Sequence, residues 1–238
     1  SILLADSGFS NPNNLLNIFR QTATISIMAV AMTYVIAAAE IDLSIGSVAG
    51  LAAVVTAMTI NGYGLIPGIL AGLAVGALSG AISGGLVAWL KVPSFLVTLG
   101  MLGLVVGVAR WITASAPVPI ADQTYITIFG GGDLGPIPGL LVWVVVAVTI
   151  GAIVMNKTKF GRHVRATGGN LVAAGYTGVK TAKVKFMVLL LSGVTASFAG
   201  MLYAGRLQSG RFQWGTGDEL SVIAAVILGG TSLFGGRG

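Results

Sequence analysis

From Leu43 to Leu90 the chain carries no charged side chain. A soluble domain, with about a quarter of its residues charged, does not contain such a run. It is also too long for a single helical passage through a bilayer core, which takes about 20 residues. A break is required, and Asn61-Gly62-Tyr63-Gly64, with Pro67 just beyond, supplies it. The run therefore reads as two spans, roughly 43–60 and 65–90. The rest of the chain repeats the pattern. Asn13 or Asn14 is placed to cap a short helix through Arg20. Uncharged spans follow over 21–39, 136–156 and 186–205, and another over 94–111 is uncharged up to Arg110 at its end. Asp218 to Gly236 is a shorter apolar segment that either spans or re-enters. With 55% hydrophobic and 8% charged residues, the expected fold is an all-α polytopic integral membrane protein. A single transmembrane domain covers 1–238. Ser1 is not an initiator Met, so the amino terminus is expected to be missing.

Charge sets the orientation. Lys157 to Lys185 holds seven of the thirteen basic residues and no acid. Lys and Arg concentrate in cytoplasmic loops, so this stretch is assigned to the cytoplasm. Parity then puts Lys91 inside, and the acidic loop 114–135, residues 61–64 and the amino terminus outside. Arg206 and Arg211 also fall outside, against the bias. The basic stretch loses its charge in the middle, where Asn170 to Tyr176 reads as one or two helical turns of small residues. Basic arms hold the loop at the membrane surface, and the small-residue centre is shaped to be gripped. That reads as a docking element for a cytoplasmic partner, against the plainer reading of an ordinary positive-inside loop. The net charge of +6 points to anionic lipid head groups and a partner, not to nucleic acid.

The second long span has the clearest packing signal. Gly68, Gly72, Gly76, Gly80 and Gly84 recur every fourth residue, widened by Ala77, Ala81, Ser79 and Ser83. Such a row lets neighbouring backbones approach closely. Because a helix turns every 3.6 residues, a period of four winds slowly round the axis. The span is therefore placed at the centre of the bundle with partners on more than one side, packed statically or sliding.

Several chemistries are excluded. There is no Cys and a single His, His163, so no thiol chemistry or metal cluster is expected. No G-x-x-x-x-G-K-[ST] loop is present, so the chain does not itself cradle ATP. No nucleophile constellation is visible, and the chain reads as a non-enzyme. Glu40 and Asp42 are the local oddity, since carboxylates at a span end are expensive and often functional. Asp42 stands before Ser44, Gly46 and Ser47 at a helix start. It reads as a helix cap or as part of a translocation path or gate. No base in a neighbouring span matches these acids, which disfavours a proton relay. Asp218-Glu219 opens the last segment in the same style, again as a cap. Trp111, Trp143, Trp214, Phe95 and Phe212 offer rings that stack on a sugar or serve as interfacial anchors.

FSNPNNLLNIFRQ, EIDLSIGS, VPSFLVTLGM, KFGRHVRATGGN and GTGDELSVIAAVILGGTSLFGGRG follow one another in order. Together they resemble the membrane permease of ribose/xylose-type ABC importers, over essentially the whole chain. The resemblance implies half of a dimeric pore in the bacterial inner membrane, importing a monosaccharide. It implies a second permease copy, cytoplasmic ATP-binding subunits that carry ATP and Mg, and an extracytoplasmic solute-binding protein. Loops 111–135 and 206–217 would face that binding protein. The family's grip for the ATPase falls on Gly169, Asn170, Ala173, Ala174 and Gly175. The family pattern also sets Asp42 and Glu219 at matching positions, and Asp42, Ser44 and Glu219 are the candidates for a translocation path or gate. This sequence departs from the family pattern in having Ala39-Glu40 before IDLS in place of two glycines, and Asp218 and Ser221 about Glu219. The family also continues beyond Gly238. The competing readings are a permease for a branched-chain amino acid or nucleoside, and an ion-coupled carrier with Glu40 and Asp42 as its ion site. Such carriers show repeats with paired broken helices, and no repeat stands out.

Overall fold

The computed structural model describes residues 12–133, 135 and 138–237. Its helices are α1 (Pro12–Ala37), α2 (Ile45–Tyr63), α3 (Leu65–Ala88), α4 (Ser94–Thr113), α5 (Gln123–Ile126), α6 (Gly139–Lys157), α7 (Lys159–Gly169), α8 (Leu171–Tyr176), α9 (Thr181–Arg206) and α10 (Asp218–Leu228). A π-helical turn, Thr127–Gly131, follows α5, and a two-residue ladder joins β1 (Val118–Pro119) to β2 (Ser209–Gly210). Six of the helices, α1, α2, α3, α4, α6 and α9, are long and apolar enough to cross a membrane.

The first span differs from expectation. There is no separate helix ending at Arg20; one helix runs from Pro12 to Ala37. Pro12 occupies the first helical position, where its missing N–H is no loss, so Asn13 and Asn14 fall inside the first turn. The break between α2 and α3 comes at Gly64, whose φ of 92° is left-handed, so α2 runs on through Asn61 and Gly62. Residues 1–11, Leu134, Pro136 and Ile137 lie outside the described residues.

The glycine row works by geometry. Each four-residue step advances the row about 40° round the axis. Gly68 and Gly72 therefore face Ile60 and Thr56 of α2, while Gly76, Gly80 and Gly84 face α9. A Cβ at Gly80 would stand 2.6 Å from the Leu189 carbonyl oxygen, and one at Gly84 2.9 Å from that of Phe186. Gly76 meets Gly193 backbone to backbone. The expectation of two partners holds, but the central placement does not. Ile66, Leu70, Leu78 and Ile82 leave the opposite face of α3 exposed, and α2 is the most buried span. α2 holds that place because α3, α4, α9 and the 209–217 segment surround it.

Parity of the spans gives the bundle two ends. One end gathers the start of α1, the ends of α2, α4 and α9, and the β1–β2 ladder. The other, basic end gathers the end of α1, α7, α8 and the start of α9. At the first end the long 114–133 stretch is an ordered cover. Asp122 Oδ1 caps α5 by accepting from Tyr125 N at 2.8 Å, and the buried Tyr125 hydroxyl donates to Met201 O at 2.8 Å. Burial holds the Tyr125 phenol well above its usual pKa, so it serves as a neutral donor. Arg20 pairs with Asp133 at 2.7 Å, and Arg206 donates to Arg20 O at 3.1 Å.

The last segment is neither a helical span nor a free loop. Gly210 lies against Ala53, Val54 and Ala57, Phe212 and Trp214 against Gly50, and Gly215 against Gly46. Residues 209–217 thus descend about 12 Å along α2 in non-helical form. α10, about 16 Å long, continues from there. Beyond it the chain reaches the basic end, where Gly236 N donates to Ala37 O at 3.0 Å. Together the two pieces cross the bundle as a discontinuous span. Residues 206–217, expected as an outer loop, are largely part of that crossing.

Candidate functional site

The chain after α1 is the second discontinuous element. Ala39 turns it with φ of 60°, and residues 40–44 run back into the bundle unwound before α2 begins. Unwound backbone at this depth needs partners inside the protein. Ser94 and Thr98, one turn apart on α4, provide them: Ile41 N donates to Ser94 Oγ and Leu43 N to Thr98 Oγ1, both at 3.1 Å.

This backbone path gives the two acids different environments. Glu40, 7% exposed, meets Lys185 Nζ at 2.5 Å. The expectation that no neighbouring span holds a matching base is thereby corrected. Lys185 is only about one turn into α9, and its pairing depends on the chain doubling back, which no local pattern announces. Asp42, 3% exposed, accepts from Ser44 N at 2.8 Å and Ser44 Oγ at 2.7 Å with one oxygen, and from Ser192 Oγ at 2.6 Å with the other. It closes the turn before α2 and does not bond the free N–H groups of the helix, whose N-cap Ser44 makes no side-chain cap bond. The cap reading also fails for Asp218. α10 has Gly217 as N-cap with no side-chain bond, and Asp218 Oδ2 accepts from the Tyr203 hydroxyl at 2.6 Å.

Asp42 and Glu219 occupy matched places. Asp42-Leu43-Ser44-Ile45 leads into α2, and Glu219-Leu220-Ser221-Val222 lies in the first turns of α10. The two helices run in opposite senses, and their amino ends meet where Gly46 touches Gly215 and Glu219. Two positive helix ends converge there, with Asp42, Asp218 and Glu219 around them to offset the field. Glu219 Oε2 is buried without a hydrogen-bond partner. The two four-residue stretches thus repeat one pattern at the openings of two antiparallel helices.

At the basic end, Thr158 Oγ1 caps α7 by accepting from Gly161 N at 3.3 Å, and Asn170 Oδ1 caps α8 by accepting from Ala173 N at 2.9 Å. Ala174 is buried, while Leu171, Val172 and Tyr176 are exposed, Tyr176 at 89%. Gly169 lies beside Gly236, and a Cβ at Gly175 would meet nothing within 4 Å. Behind α8, Gly168 packs on Ala37 and on the 235–236 backbone. The α7–α8 pair therefore bears directly on the ends of α1 and of the discontinuous crossing.

A family model described as the permease component of branched-chain amino acid transport systems matches residues 14–236. The chain belongs to this family. A probable ABC transporter permease protein, YphD of Escherichia coli (strain K12), is 42% identical over 233 residues, covering 97% of this chain and 70% of the relative. The ribose import permease protein RbsC of Bacillus subtilis (strain 168) is 38% identical over 239 residues, covering 100% and 74%. The autoinducer 2 import system permease protein LsrC of Yersinia enterocolitica is 35% identical over 240 residues, covering 98% and 65%. No solved structure matches. The protein is thus a multi-pass permease of the inner membrane, a transport component and not an enzyme. ABC membership implies a separate ATPase and a solute-binding protein.

Of the rings read as sugar-stacking or interfacial, the permease commits most to contacts within the protein. Trp143 Nε1 donates to Ile128 O, and its ring packs on Phe129 and Phe198. Trp214 Nε1 donates to Ser209 O, and the Arg110 guanidinium covers the Phe212 ring at 4.6 Å. Trp111 and Phe95 remain exposed on the open face of α4. Among the described residues no group of three or more potential metal ligands occurs. Lys185, Ser192, Ser94, Thr98 and Tyr203 are the residues that sequence reasoning missed. Only the Ser94/Thr98 pair carried a signal, as two hydroxyls four apart on a helix face that should be apolar.

Proposed function

We propose that this permease is half of an ATP-driven importer for a monosaccharide. Two copies form the pore, two ATP-binding subunits dock on the cytoplasmic side, and a solute-binding protein delivers sugar outside. The single observation that carries this reading is the α7–α8 pair. A capped two-turn helix displays Leu171, Val172 and Tyr176 at the basic end, and its base rests on the ends of α1 and of the discontinuous crossing. The positive-inside bias makes that end cytoplasmic. The grip consists of Gly169, Asn170, Ala173, Ala174 and Gly175. A partner that moves α8 between two states shifts the bundle only through contacts that differ between them.

Asp42, Ser44 and Glu219 belong to the gate in this proposal. Asp42 and Ser44 are buried and bonded, so they hold the junction of the two helix ends and do not touch solute in this conformation. A sugar is preferred over an amino acid because relatives of similar identity are named for ribose. The ion-coupled reading loses its site, since Glu40 is taken by Lys185 and Asp42 by hydroxyls.

The test is reconstitution of the full transporter with its ATPase and binding protein, using ribose as the probe. Replacing Asn170–Gly175 is expected to leave ATP hydrolysis running while uptake stops. Normal coupled uptake after that replacement, or uptake that persists without ATPase and follows an ion gradient, overturns the proposal.

A further inference from the structure

At the basic end a cavity of about 410 Å³ lies between α7 and the start of α9. Its rim is His163, Lys180 and Lys183, and its floor is Phe160, Val184 and Met187. No carboxylate lines it. Among the described residues neither lysine is paired with an acid, whereas Lys185 is taken up by Glu40. Two positions along a helix are about 200° apart, which is why Lys183 faces the cavity while Lys185 faces inward.

The floor does not stop at Met187. Lys183, Met187, Leu191, Val194 and Phe198 follow at steps of three and four, so they form one stripe of α9. Leu191, Val194 and Phe198 line a second cavity of about 330 Å³, with Ile27, Tyr34 and Val146 among its other walls. Phe160 of the first cavity stacks on Tyr34 of the second at 6.0 Å. The two cavities share no lining residue but follow one another along this stripe, with the Phe160–Tyr34 ring pair between them, basic at one end and almost wholly apolar along the rest. From Lys183 to Phe198 the stripe measures about 22 Å, more than one leaflet of a bilayer core about 30 Å thick.

We propose that the two cavities act as one groove that binds one anionic phospholipid, its phosphate between His163, Lys180 and Lys183 and an acyl chain along Met187, Leu191 and Val194. The charge selects an anion. The apolar length selects a lipid over free phosphate, and over an acidic protein surface, which has nothing to place in a channel between membrane spans. Bound there, the lipid joins α1, α6 and α9 beside the α7–α8 pair.

The test uses the full chain in nanodiscs of phosphatidylcholine containing phosphatidylglycerol, with retained lipid read by native mass spectrometry after extraction. Phosphatidylglycerol is expected to be retained over phosphatidylcholine, and inorganic phosphate is expected not to displace it. Lys180→Gln with Lys183→Gln should weaken retention about 30-fold, at about 1 kcal/mol per surface cation. Leu191→Trp should also weaken it by filling the groove while leaving the cations in place. Lys157→Gln with Arg162→Gln, a charge-matched control off the groove, should leave it unchanged. Equal retention of the two lipids, displacement by phosphate, or an equal loss in the control overturns the proposal. So does a double lysine variant that keeps phosphatidylglycerol but no longer co-purifies with the ATPase. None of these readouts uses transport, so they stand apart from the test of the importer reading.

Discussion

Removing Lys185 should expose what the buried Glu40 carboxylate requires. At 2.5 Å the pair has a Coulomb attraction of about 7 kcal/mol at an effective dielectric of 20, before desolvation is subtracted. Breaking a fully buried pair by removing one partner costs about 3–5 kcal/mol, because a charge is left in low dielectric. Lys185 is 23% exposed, so water reaches the vacated site and the cost falls below that range, to about 2–3 kcal/mol. For a chain of this length that lowers the melting temperature by about 4–12 °C. Lys185→Met is therefore expected to be distinctly less stable than the parent, read by tryptophan fluorescence on heating in detergent. Glu40→Gln with Lys185→Met removes both charges and should recover most of the loss, with a coupling above about 1.5 kcal/mol. If the two single changes and the double change add within about 0.5 kcal/mol, the pair does not couple. The account of Glu40 as a buried charge held by the doubled-back chain would then be refuted.

Ala39 holds φ of 60° with an exposed side chain, so Ala39→Gly should relieve left-handed strain and stabilise by about 1 kcal/mol, raising the melting temperature by a few degrees. Ser192→Ala strips the partner from one Asp42 oxygen and should destabilise by about 1–3 kcal/mol, whereas Ser26→Ala, which frees no acid, should change little in the same melt. Gly76→Ala forces a methyl into the Gly193 backbone and should cost about 1–3 kcal/mol. Gly103→Ala, with nothing within 4 Å, should leave the isolated chain as stable or slightly more so. Equal effects at the two glycines would show that the four-residue row is not the packing seam.

The sequence by itself determined where the lipid-embedded segments lie. Uncharged length is a local property, and a bilayer imposes one solution on it: a helix of about 20 residues. It also determined the glycine seam, because a period of four on a 3.6-residue helix has only one geometric consequence. The short helix after Asn170 was likewise legible as one or two turns of small residues between basic arms, while its Asn170 cap came only with the structure.

Only the tertiary structure decided how the chain departs from straight helices. The unwound stretches at 40–44 and 209–217 survive because Ser94, Thr98 and the bare glycines of α2 receive them, and those partners are far away in sequence. For the same reason Glu40 found a base, Asp42 and Asp218 proved not to be caps, and the last apolar segment crossed the bundle half unwound. A carboxylate's role depends on which groups a fold brings within 3 Å, and neither composition nor periodicity encodes that distance.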